Sequence, residues 1–114
     1  MKAFIRVMKA LSDPNRIKIV KILEKKELCV CEITALLGLA QSTVSKHLKL
    51  LEDAGLVDSG RDGLWVNYRL ADGRESPYAD ALLKNMKGWL NDEAVVQDML
   101  AQLPDVDRQR ICAA

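Results

Sequence analysis

No apolar stretch in this 114-residue chain approaches the roughly 18 residues needed to cross a bilayer, which excludes a membrane-spanning helix. The start, Met1-Lys2-Ala3-Phe4-Ile5-Arg6, mixes charged with apolar residues. It has no small-residue cleavage site behind an apolar block, so it does not read as a secretory signal, and a cytoplasmic location is expected. There is no Cys-x-x-Cys pair and no loop built to cradle an anion. Without a nucleophile and a positioned partner, enzymatic activity is not expected. Histidine occurs once, at His47, and cysteine three times, at Cys29, Cys31 and Cys112. An odd number of thiols in a reducing compartment argues against a disulfide framework and for thiols that pack or react. Internal repeats and low-complexity segments are absent.

What is present describes one soluble globular domain, 49% apolar and 29% charged. The net charge of +1 hides an asymmetry. Residues 1–26 carry eight Lys or Arg against two acids, residues 27–70 four against six, and residues 71–114 five against eight. A basic N-terminal part and an acidic C-terminal part imply a molecule with one face suited to a phosphate backbone.

Apolar spacing predicts the elements. Phe4, Val7, Met8 and Leu11 recur at helical intervals over 3–11. Asp13 and Pro14 supply a cap and first position for a second helix reaching about Lys26. Residues 27–38 read as a short extended segment and a two-turn helix stopped by Gly38. A tight Gly38-Leu39-Ala40 connection leads to a helix over 41–54 with Val44, Leu48 and Leu51 on its apolar face. Two helices joined by a short glycine-containing turn are a helix-turn-helix. Beyond Gly55 the period becomes alternating: two strands flank a tip at Gly60-Arg61-Asp62-Gly63, giving a β-hairpin wing. One long helix is expected over 76–103, ended by Pro104, with a polar tail over 104–114 that holds Cys112. The fold class is mainly α with a β-hairpin, a winged helix-turn-helix over 1–103. The first and last helices carry more apolar surface than one domain covers and are expected to form a two-fold dimer interface.

Three strings sharpen this: Leu11-Ser12-Asp13-Pro14-Asn15-Arg16, Glu27-Leu28-Cys29-Val30-Cys31-Glu32-Ile33, and Gln41-Ser42-Thr43-Val44-Ser45-Lys46-His47-Leu48 with Ala54-Gly55-Leu56-Val57. Together they closely resemble the ArsR/SmtB family of metalloregulatory repressors over about residues 3–100. The resemblance implies a DNA-binding repressor of a metal or metalloid resistance operon. The Glu-Leu-Cys-Val-Cys string resembles that of members sensing arsenite and antimonite, or cadmium and lead. Arsenite sensors of the best-known type carry a third cysteine where this chain has Thr34. Cadmium and lead sensors add thiols from an N-terminal extension, and no cysteine precedes Cys29. The family's zinc site on the last helix needs histidines that are absent.

Trivalent arsenic and antimony prefer three soft thiolates, so Cys29 and Cys31 leave one bond to fill, and Cys112 is the remaining thiol. Residues i and i+2 on regular helix point about 200° apart, whereas on extended chain they share a face, so a strand-to-helix junction suits a shared ion. The helix N-terminus is expected to lower a thiol pKa there. Gln41, Ser42, Thr43, Ser45, Lys46, His47 and Lys49 are the candidate contacts of the recognition helix, with Arg61 on the wing. Two symmetric helices imply an inverted-repeat operator in double-stranded DNA with half-sites about 34 Å apart. A cadmium or lead sensor, or a sensor of thiol oxidation, is the alternative on the same scaffold.

Overall fold

The computed structural model describes residues 1–106. Its order is α1 (Lys2–Ala10), α2 (Pro14–Leu23), β1 (Leu28–Cys29), α3 (Val30–Leu37), α4 (Gln41–Asp53), β2 (Val57–Asp62), β3 (Trp65–Leu70), α5 (Pro77–Met86), α6 (Ala94–Gln102) and a 3₁₀ turn at Leu103–Asp105. This is a winged helix-turn-helix. Asp13 caps α2 as expected, its Oδ1 accepting from the backbone N–H of Asn15 at 2.8 Å and of Arg16 at 3.3 Å. Gly38 ends α3 in the left-handed region, φ 68°, where a side chain would be strained.

The core lies between α2, α4 and the sheet. Val44, Leu48 and Leu51 of α4 are fully buried against Ile19, Val20, Ile22, Leu28 and Ile33. Each such side chain contributes about 1.5–3 kcal/mol by leaving water. The sheet order is β1-β3-β2, all antiparallel. The extended segment before α3 is therefore a third strand, with Leu28 opposite Tyr68 and Cys29 opposite Asn67.

Three boundaries differ from expectation. Helix α2 stops at Leu23, short of Lys26. The wing tip is Gly63-Leu64, because Asp62 pairs with Trp65 and both Gly60 and Arg61 are still in the ladder. The long C-terminal helix is two helices, separated over residues 87–93 by a turn in which Leu90 takes φ 66°. Its apolar residues follow two directions. Leu83, Met86, Val96, Met99 and Leu103 enter the core, whereas Tyr78 and Trp89 stay exposed. The unburied apolar face falls on α1 and α5, where Phe4 and Tyr78 meet edge to face at 5.3 Å.

The break in the C-terminal helix is held by Lys21. This side chain is fully buried, and its ammonium donates to the carbonyls of Met86 (2.6 Å) and Trp89 (2.9 Å) and pairs with Glu24 Oε1 (2.8 Å). The contacts satisfy the end of α5 and the carbonyl preceding the left-handed Leu90. Lys21→Met should therefore lower unfolding stability by about 3 kcal/mol in a urea titration, since it strands a buried carboxylate and two carbonyls; a loss under about 1 kcal/mol would contradict this account.

Candidate functional site

Helix α4 turns its apolar side inward and leaves Gln41, Ser42, Thr43, Ser45, Lys46 and Lys49 exposed, the positions expected to meet bases and phosphates. Lys49 also reaches Asp53 at 3.2 Å across the exposed face. Ala40 is the N-cap and carries no side-chain cap, so no side chain of the helix competes with an incoming anion for the first backbone N–H groups. His47 is half-buried, and its Nδ1 lies 3.1 Å from an Arg16 guanidinium nitrogen. Arginine has no acceptor, so Nδ1 accepts and Nε2 is left as the donor. Arg16 also donates to the carbonyls of Ala10 (2.7 Å) and Lys9 (3.2 Å), stapling α1 to α2 and α4. Arg61 is exposed on β2, two residues short of the tip.

The basic N-terminal third divides in the same way. Lys21 is in the core and Arg16 is occupied by the staple, while Lys2, Arg6 and Lys9 line a cleft of about 510 Å³ with Leu50 and Asp53 of α4. The positive charge on this side thus borders the recognition helix.

The two nearby cysteines sit at a junction. Cys29 is the last residue of β1 and the N-cap of α3, with extended backbone (φ −86°, ψ 169°), and is buried. Cys31 is the second residue of α3, half-buried and disulfide-bonded, so the expectation that the cysteines are all thiols does not hold for it. Cys29 and Glu32 form a capping box: the Cys29 side chain faces the Glu32 N–H, and Glu32 Oε1 accepts from the Cys29 N–H at 2.9 Å. The sequence carried this signal in Cys-x-x-Glu, with cysteine at the usual serine or threonine place. Glu32 was nevertheless not among the expected site residues. Beside the box lies a cleft of about 480 Å³ lined by Glu32, Asn67, Asp62, Glu27, Pro104 and Val106. Thr34 Oγ1, one turn beyond Cys31, is buried with no hydrogen-bond partner among the described residues.

The expected lowering of the thiol pKa does not hold for Cys29. Burial pushes it up, and the Glu32 carboxylate adds to the rise, against weaker help from the N–H groups of Glu32 and Cys31. Helix polarity is outweighed because the sulfur is dry and a carboxylate sits next to it. Cys112 lies outside the described residues. Among the described residues no three His, Cys, Asp or Glu side chains come together as a metal site, and no helix is long and apolar enough to cross a membrane.

A recognition helix with a solvated polar face, a short helix before it and a wing after it define a DNA-binding regulator. Residues 13–59 match the arsR family of bacterial regulatory proteins. The chain is 34% identical over 116 residues to the arsenical resistance operon repressor of Escherichia coli K12, covering 96% of this chain and 95% of that one. It is 48% identical over 61 residues to the cadmium resistance regulatory protein CadC of Listeria innocua, covering 53% of this chain and 51% of that protein. Among solved structures, a homodimeric winged helix-turn-helix DNA-binding domain from Mycobacterium bovis superposes with a TM-score of 0.65 at 29% identity, covering 89% of this chain and 83% of that one. The protein belongs to the arsR family, a family of transcriptional regulators and not of catalysts.

Because Glu32 raises the Cys29 pKa while Gln can still accept the Cys29 N–H, Glu32→Gln should speed alkylation of Cys29 by iodoacetamide at pH 8 about threefold or more, followed by mass spectrometry. An unchanged rate would show that the carboxylate does not hold the thiol protonated.

Proposed function

We propose that this protein is a dimeric repressor of a metalloid-resistance operon, released from an inverted-repeat operator when, with the Cys31 disulfide reduced by a cellular thiol, arsenite or antimonite is captured by the thiols of Cys29 and Cys31, with Cys112 as the third ligand. One observation carries the reading. The two cysteines straddle the β1–α3 junction, where the backbone of Cys29 is paired with wing strand β3 and α3 leads through one tight turn into α4. An ion that draws these sulfurs together acts on both DNA-contacting elements at once. The arsenical-resistance relative supports the choice of ion. The exposed apolar face of α1 and α5 supports the dimer, as does the homodimeric neighbour.

A third ligand is needed because two thiols do not complete a pyramidal site. Val106, which ends the described chain, lines the cleft beside Glu32 and Asn67. Cys112 is six residues further on, a span of up to about 20 Å of extended chain, enough to return to the same cleft or to reach a partner subunit.

The cadmium-resistance relative supports a second reading, in which the inducer is a soft divalent cation. Proton balance separates the two. Arsenite near neutral pH is As(OH)₃, and three thiols displace three waters from it: As(OH)₃ + 3 RSH → As(SR)₃ + 3 H₂O, with no net proton. Cadmium binding releases one proton for each thiol that ligates. With Cys29 protonated below its raised pKa, its share of cadmium binding should make the affinity rise about tenfold per pH unit between about pH 6 and 8, while arsenite affinity stays flat. Calorimetry in two buffers of different ionisation enthalpy reads the proton count directly. The inducer is assigned by which ion releases a labelled promoter fragment at micromolar concentration.

Cys29→Ser and Cys31→Ser should both hold that fragment as the parent does and fail to release it with arsenite. Loss of DNA binding would make them structural cysteines. Cys112→Ser should weaken release about tenfold or more, and adding Thr34→Cys to it should restore release by placing a thiol one turn beyond Cys31.

A further inference from the structure

We propose that Leu64 is an apolar minor-groove contact, so that the tip of the wing reads the width and smoothness of the groove floor instead of acting through charge alone. The inference rests on the reading of α4 as the major-groove helix. The tip is a two-residue loop between the cross-strand partners Asp62 and Trp65. Gly63 has φ 63°, and Leu64 is not among the residues of positive φ, which is the pattern of a type II′ turn with glycine at its first central position. This turn matches the twist of the strands, so the tip is well defined and presents Leu64 outward. Leu64 is 96% exposed, more than Met1 at the chain terminus at 94%. No packing within the fold uses it.

The surroundings select the occupant. The wing continues the DNA-contacting surface: β2 begins at Val57, directly after α4 and the Gly55 turn, and Ser59 Oγ donates to Glu52 Oε2 of α4 at 2.9 Å. The hairpin is thereby locked to the recognition helix. Six paired residues extend it about 20 Å, against about 17 Å of duplex axis for the half turn separating a major groove from the next minor groove. Arg61, exposed on the same strand, would meet phosphate as the tip enters. An apolar side chain at such a tip suits the minor groove, whose floor is smooth over A·T pairs and blocked by the guanine amino group over G·C pairs. A second copy of the chain gains little from a single leucine flanked by Arg61, Asp62 and Gly63.

The test uses the full chain and 25-base-pair duplexes of alternating dI–dC and dG–dC, followed by fluorescence anisotropy. The two duplexes share a major-groove pattern and differ by the minor-groove amino group. The parent should prefer dI–dC about fivefold, Leu64→Ser should reduce that ratio to about one, and Leu64→Met should keep it. Because Leu64 packs against nothing, the thermal midpoint of Leu64→Ser should match the parent. Retention of the parent ratio by Leu64→Ser overturns the proposal, as does a parent with no preference. A change in dimerisation by sedimentation with the ratio intact assigns Leu64 to a contact between copies and also overturns it. Binding of neither duplex by the parent at low salt, where phosphate contacts alone suffice, removes the α4 reading itself.

Discussion

The Cys29 peptide belongs to two structures at once, and the logic of the molecule follows from that. Its backbone lies opposite Asn67 in the sheet that carries the wing, while its N–H and sulfur close the capping box that starts α3. A two-residue strand is too short to persist alone. Here it is stabilised by the burial of Leu28 and by the reciprocal bonds to Glu32. A displacement of the Cys29 backbone would therefore disturb both the ladder and the start of α3.

The rest of the scaffold is rigid where it supports this junction. Arg16 ties the end of α1 to α4 through two carbonyls and His47, and Ser59 ties the wing to the same helix through Glu52. At the other end of the domain, Lys21 fastens the α5–α6 turn to α2. The Lys21 link joins elements more than sixty residues apart through a fully buried ammonium, where hydrogen bonds to a charged side chain are worth more than at the surface, and the links of Arg16 to Ala10 and His47 and of Ser59 to Glu52 are half-buried. The recognition face consequently rides on a stiff body. In the proposed mechanism an ion held at the junction would shift that face as a unit, and the 1–3 kcal/mol typical of coupling between sites would change DNA affinity five- to 150-fold.

Periodicity made much of the fold legible. Val44, Leu48 and Leu51 mark the buried side of α4, Asp13-Pro14 marks a helix start, and Gly38 a helix end, because each follows from local backbone chemistry. The exposed set Gln41, Ser42, Thr43, Ser45, Lys46 and Lys49 followed from the same pattern. The reading failed where a distant partner decides. Residues 76–103 have helical spacing throughout, yet Lys21, more than sixty positions earlier, captures the Met86 and Trp89 carbonyls and stabilises a turn that local propensity opposes. The extended segment before α3 was legible, but its pairing with β3 was not, because two residues have no period to show which strand they join. The wing tip was misplaced because Gly60 and Gly63 are equal turn signals until the register chooses between them.

By itself the sequence determined the kinds of element, their order and the side of α4 that faces outward, since these depend on neighbours within a few residues. It also supplied the sulfurs and their spacing. Only the tertiary structure decided that Cys29 is dry and bound into the wing sheet, that its thiol is pushed up in pKa instead of down, and that of the eight N-terminal cations Lys21 is buried and Arg16 is engaged by carbonyls and His47. The physical reason is the same in each case: burial and long-range hydrogen bonding set the local dielectric and the available partners, and neither is written in the spacing of residues along the chain.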